Sequence, residues 1–117
     1  MSKILIVDDD ADILIVASTL LKMHGFQVET INNGGQSIEK VEKYRPDLVL
    51  LDINLGNEDG RKICRKIKNN KNNIDLPVIL FSANYEYAMS YRECKANGFI
   101  AKPFENFDFI KTLKSFL

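Results

Sequence analysis

Two kinds of apolar segment alternate along the chain. Short runs at 4–7, 28–31, 48–51, 78–81 and 99–101 are rich in Val, Ile, Leu or Phe and are bounded by polar or chain-breaking residues. Runs of that length read as strands, and three of them are almost continuously apolar, as expected where both sheet faces are covered. Longer stretches with helical spacing lie between them. One runs from a cap near Asp10 to about residue 24, with Ile13, Val16, Ala17, Leu20 and Leu21 on a stripe and Gly25 as the stop. Others fit 35–44, ending ahead of Pro46, then 59–69, about 85–96, and 106–117. Strand and helix therefore alternate five times. Such an order predicts an α/β fold, a parallel sheet with helices on both faces and right-handed crossovers. Ligands of such sheets bind beyond the carboxyl ends of the strands.

The residues at the strand ends turn the picture from architecture to chemistry. Asp8, Asp9 and Asp10 come directly after the first strand, Asp52 after the third, Ser82 after the fourth, and Lys102-Pro103 after the fifth. Parallel strands bring these groups to one rim. Clustered carboxylates repel one another unless a cation lies among them. An all-oxygen donor set suits Mg²⁺ (or Mn²⁺), which takes one or two carboxylates together with phosphate oxygens. A fixed ammonium at Lys102 adds a second positive charge, so the rim is suited to a phosphoryl group. Asp10 and Asp12 read instead as helix-start residues, favoured by the macrodipole.

Composition narrows the class without naming it. The chain has 117 residues, 45% apolar and 27% charged, with a formal net charge of zero. That is one ordinary globular domain over 1–117, with no linker or effector domain expected within it. A balanced charge argues against general affinity for nucleic acid or acidic membranes. Cys64 and Cys94 stand far apart with no CxxC motif, so neither zinc nor a redox motif is expected. Without a signal peptide or a long apolar run, the chain reads as cytoplasmic with reduced thiols. Arg61, Lys62, Arg65, Lys66, Lys68 and Lys71 read as a solvated basic face, 69–73 as a polar loop, and His24 as a helix-end imidazole. The aromatic surplus at Tyr85, Tyr87, Tyr91, Phe104, Phe107, Phe109 and Phe116 divides between core and a partner surface.

Taken together, Ile6-Val-Asp-Asp9, Asp52 with Asp59-Gly60, Ser82-Ala83, and Gly98-Phe-Ile-Ala-Lys-Pro-Phe104 resemble the receiver domains of two-component response regulators. The resemblance implies a flavodoxin-like doubly wound sheet of order 2-1-3-4-5 with five helices. It implies that Asp52 is the phosphoacceptor, that Asp9 binds Mg²⁺ directly and Asp8 through water or as part of the acidic rim, and that the Asn54 backbone carbonyl adds a ligand. Ser82 and Lys102 would hold phosphoryl oxygens. Ser82 and Phe99 would form a switch acting on the face made by the helix over about 85–96, the fifth strand and the last helix. A cis Lys102-Pro103 bond is implied as well.

The function expected is a phosphorelay switch loaded from a phosphohistidine on a sensor histidine kinase or phosphotransfer protein. A homodimer or downstream effector would dock on the switch face, and no membrane or nucleic-acid contact is expected. Such a domain is not an enzyme in the usual sense, since it acts only on its own phosphorylation. Departures from the family pattern are Leu55, where methionine is common, and Gly56, where proline is frequent, which predicts a looser loop after Asp52. Asn54 and Asn84 stand where the lifetime of the acyl phosphate is tuned. The alternatives are a non-phosphorylated pseudo-receiver acting as an interaction module, and an Mg²⁺-dependent aspartyl phosphatase. The second would want an acid where Asn54 stands. A flavin carrier would not place Asp8-Asp-Asp10 after the first strand.

Overall fold

A computed structural model describes residues 2–117 of the chain; the side chains of Tyr85, Ala88 and Met89 lie outside the described residues. Five parallel strands form the sheet: β1 (Lys3–Val7), β2 (Gln27–Ile31), β3 (Leu48–Asp52), β4 (Val78–Ser82) and β5 (Gly98–Ala101). Their order is β2-β1-β3-β4-β5. The α-helices are α1 (Ala11–Met23), α2 (Ser37–Tyr44), α3 (Gly60–Asn69) and α4 (Asn106–Ser115).

Alternation along each strand builds a core on each face of the sheet. Leu5, Val7, Val49, Leu51, Val78 and Leu80 face one side and meet Val41 of α2 and Ile63, Cys64 and Ile67 of α3. Ile4, Ile6, Leu48, Leu50, Ile79 and Phe81 face the other and meet Ala17 and Leu21 of α1 and Phe109, Ile110 and Leu113 of α4. β3 and β4 are buried along their whole length, which is why their runs carry no polar alternation.

The helix ends follow local chemistry. Asp10 caps α1, its carboxylate accepting from the Asp12 and Ile13 N–H groups. Gly25 continues the chain at φ +88°, a conformation that suits glycine. Asp59 caps α3 and Glu105 caps α4.

Three expectations are corrected. The helix expected over about 85–96 is a 3₁₀ stretch, Tyr85–Tyr91, so the described residues form four α-helices rather than the five expected. Tyrosines and a serine have modest helix propensity, and the Ser90 hydroxyl turns back to donate to the Tyr87 carbonyl at 2.6 Å, a bond that competes with helical pairing. Second, Val16 is exposed while Leu14 packs against the core with Ile13 and Leu20, because the buried stripe of α1 is centred on Ala17 and Leu21. Third, the loop after Asp52 is tied rather than loose. Asn54–Leu55 pairs antiparallel with Glu58–Asp59, and Gly56, at φ +65°, turns the chain between them. Residues 71–73 of the polar loop close a 3₁₀ turn capped by Asn70.

Candidate functional site

Strand register sets the rim. Val7 pairs with Leu51, so Asp8 lies one step past β1, beside the end of β3. Asp52 sits opposite Phe81, and Ser82 opposite Ala101, which Lys102 follows directly. Four strand ends thus deliver two acids, a hydroxyl and an amine to one edge.

Asp8 is fully buried and Asp52 nearly so. Among the described residues, Asp8, Asp9 and Asp52 each offer a carboxylate oxygen within 4.8 Å of the others, with Asp9 exposed. Lys102 closes the group. Its Nζ donates to Asp8 Oδ2 at 2.7 Å and lies 3.4 Å from Asp52 Oδ1. One ammonium therefore serves two buried carboxylates. The second oxygen of Asp8 accepts from the Asp10 N–H at 2.9 Å, and Asp52 Oδ1 accepts from the Asn54 N–H at 3.3 Å.

The balance leaves Asp52 short of compensation. Burial, reinforced by the negative charge of Asp8, pushes its carboxyl up to about 7, against the opposing pull of Lys102. A group held that high is a carboxylate whose charge awaits a cation. The donors are all oxygen, two are deeply buried and one opens to solvent, so the set fits a hard divalent ion such as Mg²⁺.

Ser82 is buried at the end of β4, where its Oγ accepts from the Asn84 N–H at 3.0 Å. Its hydroxyl therefore sits in a local turn, while Asn84 caps the 3₁₀ stretch beyond it. The Lys102-Pro103 peptide is cis. Phe99 is half-buried on β5, opposite Leu80, and packs on the same core as Tyr87 and Tyr91.

Several contributors are not evident from residue types alone. Lys102 Nζ lies 4.7 Å from the centroid of Phe81, so an aromatic face backs the ammonium. Phe104 stacks on Phe109 at 4.2 Å between centroids, and both lean on Phe81. Part of the aromatic surplus is thus the wall behind the amine, whereas Phe107 is exposed. Gly60 donates its N–H to the Ile53 carbonyl at 2.7 Å, and a Cβ there would run into the carbonyl oxygen of Asp52. The Asp59-Gly60 pair is a steric requirement of the site: only a hydrogen fits where α3 passes beneath the acid. The basic face is partly occupied too. Arg61 pairs with Asp59 at 2.7 Å and lies over the Tyr87 ring, and Lys68 donates to the Ile74 and Leu76 carbonyls and to Asn97.

Residues 4–114 match the model of the response regulator receiver domain. The chain belongs to that family. It is 36% identical to the transcriptional regulatory protein CpxR homolog of Haemophilus influenzae, over 100% of this chain and 51% of that protein. To the transcriptional regulatory protein PrrA of Mycobacterium leprae it is 27% identical over 98% of this chain and 49% of that protein. The chain thus spans about half the length of these curated relatives. The structure of the chemotaxis response regulator CheY4 of Vibrio cholerae superposes with a TM-score of 0.93 at 27% identity, covering 100% of this chain and 99% of that one. The receiver domain of NtrX from Brucella abortus gives 0.88 at 32% identity, with 97% of each chain covered. This receiver domain has the flavodoxin-like sheet order of its family. Among its described residues no helix is long and apolar enough to cross a membrane.

Proposed function

We propose that this receiver domain is a phosphorylation switch whose phosphoacceptor is Asp52. The observation carrying the reading is Lys102, whose one amine reaches both Asp8 and Asp52 at the ends of two different strands. Asp52 Oδ attacks the phosphorus of a phosphohistidine, the P–N bond breaks, and the donor imidazole leaves with its electron pair to take up a proton. The product is an acyl phosphate on Asp52. Asp8, Asp9, Asp52 and the backbone carbonyl of Asn54 are the groups that would hold Mg²⁺. When bound, the ion supplies positive charge opposite the phosphoryl oxygens, where the loose and highly charged transition state needs it.

Lys102 holds a phosphoryl oxygen as it leaves Asp52. The Ser82 hydroxyl, whose Oγ accepts from the Asn84 N–H, donates its own proton to another as the turn shifts toward the site. That movement draws the loop after β4 toward the site and makes room for Phe99, remodelling the face formed by 85–96, β5 and α4. The donor is a sensor histidine kinase or a histidine phosphotransfer protein, and a second copy or an effector reads the altered face. The domain transforms only itself, so it does not turn over external substrates. Asn54 supports this over the phosphatase alternative, since an amide cannot serve as the acid–base group. The buried acid pair and its lysine support it over an inert interaction module, which would gain nothing from two carboxylates held this closely.

The test is intact-mass measurement after incubation with Mg²⁺ and a small acyl-phosphate or phosphoramidate donor. One added phosphoryl group is expected in the wild type, none in Asp52→Asn, and none when EDTA replaces Mg²⁺. An unmodified wild type, or steady release of phosphate from simple monoesters, contradicts the proposal.

A further inference from the structure

Thirty positions separate Cys64 from Cys94, yet the fold brings them together. Cys64 lies on the buried face of α3, and its Sγ donates to the Cys94 carbonyl oxygen at 3.3 Å. Cys94 lies between the 3₁₀ stretch and β5, and its own thiol donates to the Tyr91 carbonyl at 3.4 Å. Both cysteines are free and buried within the same core.

Their surroundings are unequal. Cys94 lines a recess of about 150 Å³ between α3 and the 3₁₀ stretch, into which Arg61, Lys62 and Arg65 also face. Cys64 has no share in that recess. The hydrogen bond that Cys64 donates to residue 94, followed by burial, pushes its thiol up. One member of the pair thus lines the recess, and the other is an enclosed, protonated neighbour. That asymmetry is what distinguishes an attacking thiol from a resolving one.

We infer that Cys94 and Cys64 form an oxidant-sensitive dithiol, in which Cys94 is the attacking thiol and Cys64 the resolving one. The oxidant class is a small peroxide. Cys94 thiolate attacks one peroxide oxygen, the O–O bond breaks, hydroxide leaves, and Cys94 becomes a sulfenic acid. The Cys64 thiol then attacks that sulfur, water leaves, and the disulfide forms. In sum, two thiols and one hydrogen peroxide give one disulfide and two waters. A dithiol reductant reverses the change.

The bridge would strap α3 to the stretch that leads into β5. That stretch belongs to the face expected to move on phosphorylation, so on the switch reading of Asp52 the oxidised form is held from switching fully. The dithiol itself stands independently of that reading.

The experiment treats the folded, reduced protein with hydrogen peroxide, quenches free thiols with N-ethylmaleimide in denaturant, and maps the products by mass spectrometry. The expected result is a monomer lighter by two hydrogens, with Cys64 and Cys94 joined and dithiothreitol restoring both thiols. Dimedone should trap a sulfenic acid at Cys94 in Cys64→Ala. Its capture at Cys64 in Cys94→Ala should be slower by at least about tenfold. Thiols that stay reduced in the folded protein while the urea-unfolded chain is oxidised would overturn the inference. So would disulfides formed only between molecules, and the wild-type map decides both even if a variant does not fold. Loss of the acyl phosphate at equal rates from oxidised and reduced protein would overturn the coupling. Failure of the reduced protein to take a phosphoryl group overturns the reading of the Asp52 site and leaves the dithiol standing.

Discussion

Lys102 Nζ lies 2.7 Å from Asp8 and 3.4 Å from Asp52, and neither carboxylate has water enough to screen its charge from the other. Removing one partner of a buried ionic group leaves the rest uncompensated, typically at a cost of about 3–5 kcal/mol. Lys102→Met should therefore lower stability near neutral pH by roughly that much, read from urea unfolding with EDTA present. It should also slow phosphorylation of Asp52 severely. Asp52 makes the opposite case. Its carboxyl is raised to about 7 in the folded state, above its ordinary range, so the native protein binds this proton more tightly than the unfolded chain does. The stability contributed by the site is then complete below about pH 4 and is lost as the pH rises through about 7. Relative to wild type, Asp52→Asn should gain stability between about pH 5 and pH 8, on the order of 2 kcal/mol in the absence of metal. A constant difference across that window would show that the charge of Asp52 is not the strained element.

Among the elements, α3 is placed by a glycine and the 85–96 segment by its lack of a stable helix. Gly60 and Gly25 separate two reasons for glycine. At Gly60 a methyl group would strike the backbone oxygen of Asp52, whereas at Gly25 the surrounding space is open and only the positive φ objects. Gly60→Ala should cost about 2–4 kcal/mol and displace the acid, while Gly25→Ala should cost about 1 kcal/mol, as for an L-residue in the left-handed region. Denaturant titration of the two variants compares them directly. The 3₁₀ stretch Tyr85–Tyr91 should exchange its amide hydrogens faster than any of α1 to α3, since its helical bonds are few and short-ranged. Protection there equal to that of α3 would contradict its assignment as the movable element.

For the molecule as a whole, periodicity was enough to read the sheet, because β1, β3 and β4 are covered on both faces and carry apolar runs. Asp8, Asp9, Asp52, Ser82 and Lys102 were legible for a related reason: in a parallel sheet the residue after each strand lands on a common rim. The failures have physical sources as well. The 85–96 pattern resembles a helix in its hydrophobic spacing, but tyrosines and Ser90 leave the choice between α and 3₁₀ to tertiary packing. Gly56 suggests looseness by composition, yet its positive φ is what closes the ladder beyond Asp52. The proximity of Cys64 and Cys94, and the stacking of Phe81, Phe104 and Phe109 behind Lys102, depend on contacts across elements that no local pattern encodes.

The most direct measurement of the central claim locates the phosphoryl group chemically. The protein is phosphorylated with a small donor in Mg²⁺, treated with borohydride, which converts an acyl phosphate to an alcohol, and sequenced by tandem mass spectrometry. Homoserine at position 52, with Asp8 and Asp9 unchanged, is the predicted result. Homoserine at either of those aspartates, or phosphate found on the hydroxyl of Ser82 instead, would contradict the account.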